Sequence, residues 1–210
     1  MKYRLLLLTL VLAVTGQVSG QSKSNTPAPA KVAETVVFQP EDDVMMNEHR
    51  FWGIISEAKA GSGGVYKYEI NALKRLLFTL RDEEIEQFDN RFTAIMELSY
   101  DAKLWGAAYV INGGCSDDCF DYFRQYLIAQ GKEKFYATLK DPESCISWIK
   151  TDQQENWDGF QFAAADVYKK KTGKNIPKTY QPEFELKGEW FDEETVAQQY
   201  PRLAKKFKTM

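Results

Sequence analysis

LWGAAYVINGGCSDDCFDYFRQYLIAQG, residues 104–131, decides the fold. Leu104, Trp105, Ala108 and Ile111 recur at the spacing that lines one face of a helix. The run stops at Gly113-Gly114, where glycine accepts the positive φ of a helix C-terminus. A second helix opens at once. Ser116 is the expected N-cap, and Asp117 and Asp118 complement the helix dipole in the first turn. Phe120, Phe123 and Leu127 form its apolar stripe, and Gly131 ends it.

Outward from this pair the same period continues, and strand signals are nearly absent. Toward the N-terminus, residues 47–59 carry Phe51, Ile54, Ile55 and Ala58 on one stripe. Gly61-Ser62-Gly63-Gly64 breaks that helix, and Ile70, Leu73, Leu77 and Leu80 mark the next. A third is expected from Asp82 as N-cap, with Ile85, Phe88, Phe92, Ile95 and Met96 inward. Beyond Gly131, a short helix carries Phe135 and Leu139, and Asp141-Pro142 begins another, with proline suited to a first helical position. A longer helix is expected over 155–171, closing at Gly173. Residues 176–189 hold two prolines and read as extended. Asp192 should cap a last helix, with Phe191 and Val196 as a hydrophobic staple, and Pro201 divides that tail. Aromatic residues make up 14% of the chain, enough to fill a core made only of helices. The expected fold is therefore all-α, a single array of about seven to eight helices over residues 46–210.

The first 45 residues read differently. Lys2 and Arg4 precede an apolar run from Leu5 to Val14 and a small-residue end at Val18-Ser19-Gly20. A spanning helix needs roughly 20 apolar residues, so 1–20 reads as a cleavable signal peptide and the protein as exported, periplasmic or secreted. No later segment is long and apolar enough to span a membrane. Residues 21–45, rich in Ser, Pro, Ala and Lys at their start, read as a tether, with a short extended piece at Val36, Val37 and Phe38. Loss of Lys2 and Arg4 would move the formal net charge from −3 to −5. A mildly acidic chain with no basic face argues against a nucleic-acid partner.

The quoted stretch resembles a bacterial family catalogued only as domain of unknown function 4240. Further marks of that family are Phe51-Trp52, Gly61-Ser62-Gly63-Gly64, Phe88-Asp89, the stretch from Tyr168 to Gly173 with its Lys171-Thr172-Gly173, and the tail around Phe191-Asp192 and Tyr200-Pro201-Arg202-Leu203. The resemblance runs from residue 48 nearly to the end. It implies a compact helical domain and carries no activity, so it assigns no catalytic residue. Two departures stand out: the export signal, where relatives are expected in the cytoplasm, and Cys119, where a small residue such as glycine is expected.

Chemistry, if there is any, concentrates in residues 112–118. Two glycines lead into a helix N-terminus beside the carboxylates of Asp117 and Asp118. Such a pair can divide acid and base roles, or it can simply balance a helix dipole. Cys115 and Cys119 lie one turn apart, with a helical Cα separation of about 6 Å that a disulfide accepts. Free buried thiols, a redox pair or a bridge to Cys145 remain alternatives. His49, the one histidine, sits in a first turn with no nucleophile motif nearby. The glycine loop at 61–64 lacks the Gly-Lys-Ser/Thr ending of a phosphate loop. Trp105, Tyr109, Asn112, Ser116, Asp117, Asp118 and Arg124 are the expected binding residues. Asp89 or Asp121 would be the salt-bridge partner of Arg124. No cofactor motif and no metal-ligand spacing is present. The favoured function is a binding module for a ligand or a protein. The alternatives are a hydrolase using Asp117 and Asp118, or an inhibitor or immunity-type protein acting by surface contact.

Overall fold

A computed structural model describes residues 44–150 and 157–207. The expected signal peptide, nearly all of the tether with its Val36–Phe38 piece, and the start of the helix expected over 155–171 lie outside these residues. Among the described residues there are eight helices of seven residues or more and no strand. We number the α-helices α1 Glu48–Lys59, α2 Tyr66–Phe78, α3 Asp82–Leu98, α4 Ala102–Asn112, α5 Asp117–Ala129, α6 Lys132–Lys140, α7 Ala163–Thr172, α8 Val196–Gln199 and α9 Pro201–Phe207. Two 3₁₀ turns, Pro142–Ser147 and Phe160–Phe162, join them. None of the described helices is long and apolar enough to cross a membrane.

Local chemistry sets most boundaries. The Asn47 side chain accepts from the N–H groups of His49 (3.0 Å) and Arg50 (3.3 Å) and starts α1. Asp101 does the same for α4, accepting from Lys103 N at 2.8 Å. Gly113 takes φ 69° and ends α4, and Gly114 N–H returns to Tyr109 O at 2.9 Å. Ser116 Oγ accepts from Cys119 N at 3.3 Å and starts α5.

Three expectations shift. Arg81, not Asp82, precedes α3: Glu84 reaches back to Arg81 N–H at 2.9 Å, so capping is supplied from inside the helix. That bond, with Arg50 beside it, holds the Glu84 carboxyl down to about 2. Beyond Trp157 the expected long helix is a turn and a 3₁₀ segment, and α7 begins only at Ala163. In that turn Gly159 lies against Tyr66, whose Oη accepts from Gly159 N at 3.1 Å; a Cβ there would meet that oxygen at 2.6 Å. At the tail, Asp192 closes a turn, accepting from Glu194 N at 2.8 Å, and α8 starts at Val196. Pro201 then opens α9, with Glu143 Oε1 accepting from the N–H groups of Arg202 and Leu203 at 2.6 and 3.1 Å.

The core is aromatic. Phe51 lies 5.0 Å from Phe88 between ring centroids, Trp52 5.4 Å from Phe135, and Trp157 5.3 Å from Phe160. Full burial of such a side chain contributes about 1.5–3 kcal/mol. The irregular tail is fixed along α3 and α4. Lys178 reaches Asp89 at 3.0 Å, Thr179 accepts from Asn90 at 2.7 Å, and Tyr180 donates to Glu97. Further on, Lys187 exchanges backbone bonds with the start of α4: Ala102 N to Lys187 O at 2.8 Å, and Lys187 N to Tyr100 O at 3.0 Å. Residues expected to be extended are thus held against two helices.

Candidate functional site

That strapping builds a cleft of about 480 Å³. α3 contributes Asp89, Phe92, Thr93 and Met96; α5 contributes Asp117, Asp121 and Arg124. Gln161, Phe162 and Ala165 stand on one side, Lys178 and Phe184 on another, and Tyr100 and Trp105 complete the wall.

Arg124 sits at its floor with only 3% of its side chain exposed. One nitrogen donates to Met96 O at 2.7 Å and another to Asp121. The guanidinium carbon is 4.9 Å from the Phe120 ring centre, 5.0 Å from Tyr100 and 5.9 Å from Phe184. Its Nε is buried without a hydrogen-bond partner. Burial draws the Arg124 pKa below the ordinary arginine value, and Asp121 works against that shift. Buried charges are rarely kept unpaired, and here one edge of the fork is left partly unused.

Aromatic rings continue outward from the floor. Trp105 stacks on Phe120 at 4.6 Å and meets the edge of Trp190 at 4.9 Å. Trp105 Nε1 donates to Cys115 O at 2.9 Å, fixing the ring against the 112–118 turn. At the rim Phe162 is 55% exposed, Phe184 44% and Trp190 54%.

The expected residues divide into two groups. Trp105, Asp117 and Arg124 meet in the cleft. Tyr109, Asn112, Ser116 and Asp118 are not among its lining residues. Tyr109 donates to Glu193 at 2.8 Å, which raises its pKa, and packs against Phe191. Asn112 donates to Cys119 Sγ at 3.7 Å. Ser116 is engaged as the cap of α5, and Asp118 is exposed. Consecutive helical residues point about 100° apart, and Asp117 lines this cleft while Asp118 does not. Asp121, one turn beyond Asp117, shares its face. As for salt bridges, Arg124 pairs with Asp121, while Asp89 pairs with Lys178. Lys178, Phe184, Gln161, Phe162 and Tyr100 were not anticipated. The only signal for the tail residues was aromatic side chains in a stretch with no apolar period.

Cys115 and Cys119 are at disulfide distance, with Cα atoms 5.2 Å apart. Cys145 is buried apart from them, and burial pushes its thiol up to about 12. His49 is exposed. In the glycine loop, Ser62 is buried and donates to Lys59 O at 2.8 Å, while Gly64 N donates to Ser62 Oγ at 3.1 Å. Glu69 lies 3.1 Å from that hydroxyl, and burial raises its pKa. The loop is thereby bound to the interior.

Residues 46–170 match the family described as Protein of unknown function (DUF4240). The chain belongs to that family. The match holds α1 to α6 and most of α7, and it ends before the tail that supplies Lys178, Phe184 and Trp190. In this DUF4240 domain the floor of the cleft thus lies inside the matched region and one wall outside it. No curated protein and no solved structure matches the chain.

Proposed function

We propose that this DUF4240 domain is a ligand-binding module that works outside the cytoplasm, with its site in the Arg124 cleft. The observation that carries the reading is Arg124 itself: a guanidinium almost wholly buried at the floor of an open cleft, backed by three rings, with one donor unpartnered. An apolar side chain of similar shape would fill that floor without the desolvation cost of an ion, several kcal/mol. Pockets that bind small molecules combine apolar walls with a few converging polar groups, as this one does. The export reading rests on Lys2, Arg4 and the apolar run from Leu5 to Val14.

The test is a thermal-shift screen of small molecules against the wild type, Arg124→Met and Asp117→Asn. A ligand at 100 times its Kd stabilises by about 2.7 kcal/mol. Compounds whose stabilisation of the wild type is lost in at least one of the two variants are expected. Compounds acting equally on all three would place the site elsewhere and end the reading.

The exposed rings of Phe162, Phe184 and Trp190 favour a second reading, a protein that acts by surface contact. Acrylamide quenching of Trp190 that disappears when a co-purified partner is bound would separate it from the first. A hydrolase seated in this cleft would use Asp117 with Asp121, since Asp118 does not line it.

A further inference from the structure

We infer that the cleft takes an organic cation on an apolar stem, a guanidinium or ammonium group, held by Asp117 against the aromatic wall. The inference rests on the reading of the cleft as the binding site and names its ligand class.

Charge counting comes first. Of the cleft's carboxylates, Asp89 is matched by Lys178 at 3.0 Å and Asp121 by Arg124. Asp117 is left over. Among the described residues it pairs with no cation and accepts only from its neighbour's backbone, Asp118 N at 3.1 Å. The stretch around and beyond Phe184, outside the lining itself, is acidic as well. Residues 183–194 carry Glu183, Glu185, Glu189, Asp192, Glu193 and Glu194 against the single Lys187, all of them exposed. Lys187 is directed to Leu98 O, 3.5 Å away. The lining thus holds three carboxylates against Lys178 and Arg124, a surplus of one negative charge, and a negative cleft concentrates cations.

The chemistry of the wall agrees. Ring faces attract cations, and this fold already seats one: Arg124 lies within 6 Å of the Tyr100, Phe120 and Phe184 ring centres, against the carboxylate of Asp121. Asp117 stands one helical turn before Asp121 on the same face, with Trp105 in the adjoining wall. A second cation entering above Arg124 would find the same combination of a carboxylate and an aromatic surface. An anion accepting from the open Nε of Arg124 would lie among the carboxylates of Asp89, Asp117 and Asp121. The cation can be a free alkylamine or alkylguanidine, or an arginine or lysine side chain on a peptide.

Calorimetric titrations of the full chain with agmatine, with a terminally blocked Gly-Arg-Gly peptide and with glutarate decide the matter. Saturable binding of at least one cationic probe is expected, weakening with added salt. Losing a hydrogen bond to a charged group should weaken Asp117→Asn by about tenfold or more, while Glu57→Gln, an exposed carboxylate on α1, should bind as the wild type does. Circular dichroism of each variant checks that it folds. Agmatine binding as tightly as the peptide identifies the free cation as sufficient. Binding of the peptide alone identifies a side chain on a partner. Either outcome supports the inference. It is overturned if neither cation binds, or if Asp117→Asn binds as tightly as the wild type. Glutarate binding that Arg124→Met abolishes, with no cation bound, would overturn the cation while leaving the cleft as the site.

Discussion

Replacing Arg124 by methionine should change the stability of this domain by less than about 1.5 kcal/mol in either direction, because large opposing effects nearly cancel. Three contributions are lost. Met96 O loses its 2.7 Å donor and becomes a buried unpaired carbonyl, costing about 1–3 kcal/mol. The guanidinium over the Tyr100, Phe120 and Phe184 rings goes, worth about 0.5–2 kcal/mol. Asp121 loses its partner, but its side chain is 42% exposed and water can take over, for about 0–1 kcal/mol. Against these, the fold no longer has to strip water from a guanidinium, a relief of several kcal/mol. The methionine also retains most of the packing of the apolar stem. Urea unfolding followed by far-ultraviolet circular dichroism measures the difference. With slopes of about 1–3 kcal/mol per molar urea, the midpoint should move by no more than roughly 1.5 M. A loss of about 3–5 kcal/mol, as when a buried pair is broken, would show that Arg124 is there to hold α5 on α3. The reasoning that assigns it to a ligand would then be wrong.

Other consequences are simpler to check. Ser116→Ala removes the acceptor of Cys119 N and should cost about 0.5–2 kcal/mol in the same urea assay. Glu69 has its folded pKa raised by burial above the ordinary 4.5. The stability it contributes is therefore complete below the unfolded value and is lost as pH rises through the folded one. Glu69→Gln should consequently gain on the wild type as pH rises from acid toward neutral, with the gap closing below the ordinary carboxylate range; a gap that widens toward acid would reverse this account. Reduction of the Cys115–Cys119 bridge opens a loop of only four-residue separation and should cost no more than about 2 kcal/mol, read from melting curves with and without dithiothreitol. Cys145, buried and pushed up to about 12, should not react with a thiol reagent until the protein unfolds.

The helices were legible because their causes are local. Asn47, Asp101 and Ser116 cap the backbone within three residues of themselves, and Gly113 supplies its own left-handed turn. The apolar stripes of α3, α4 and α5 need nothing but their spacing. Misreadings arose where the deciding partner was distant. Gly159 looks like any glycine until Tyr66, far away in the sequence, is seen to occupy the space a Cβ would need. Within the site, Trp105, Asp117 and Arg124 could be picked out as polar or aromatic residues near the central turn. Tyr109, Asn112, Ser116 and Asp118 share that stretch of sequence, yet the helical rotation turns them to other surroundings.

The sequence by itself determined the family, the all-helical architecture and the central turn, since period, caps and glycines act within a few residues. Only the tertiary structure decided which carboxylates share a pocket and that a cleft exists. Its wall is a stretch without apolar period, and what fixes Lys178, Tyr180 and Lys187 in place are bonds to α3, α4 and Tyr100 that span more than 80 residues of chain. Contacts of that range leave no pattern in the local sequence, because they depend on where two distant segments meet after the core has closed.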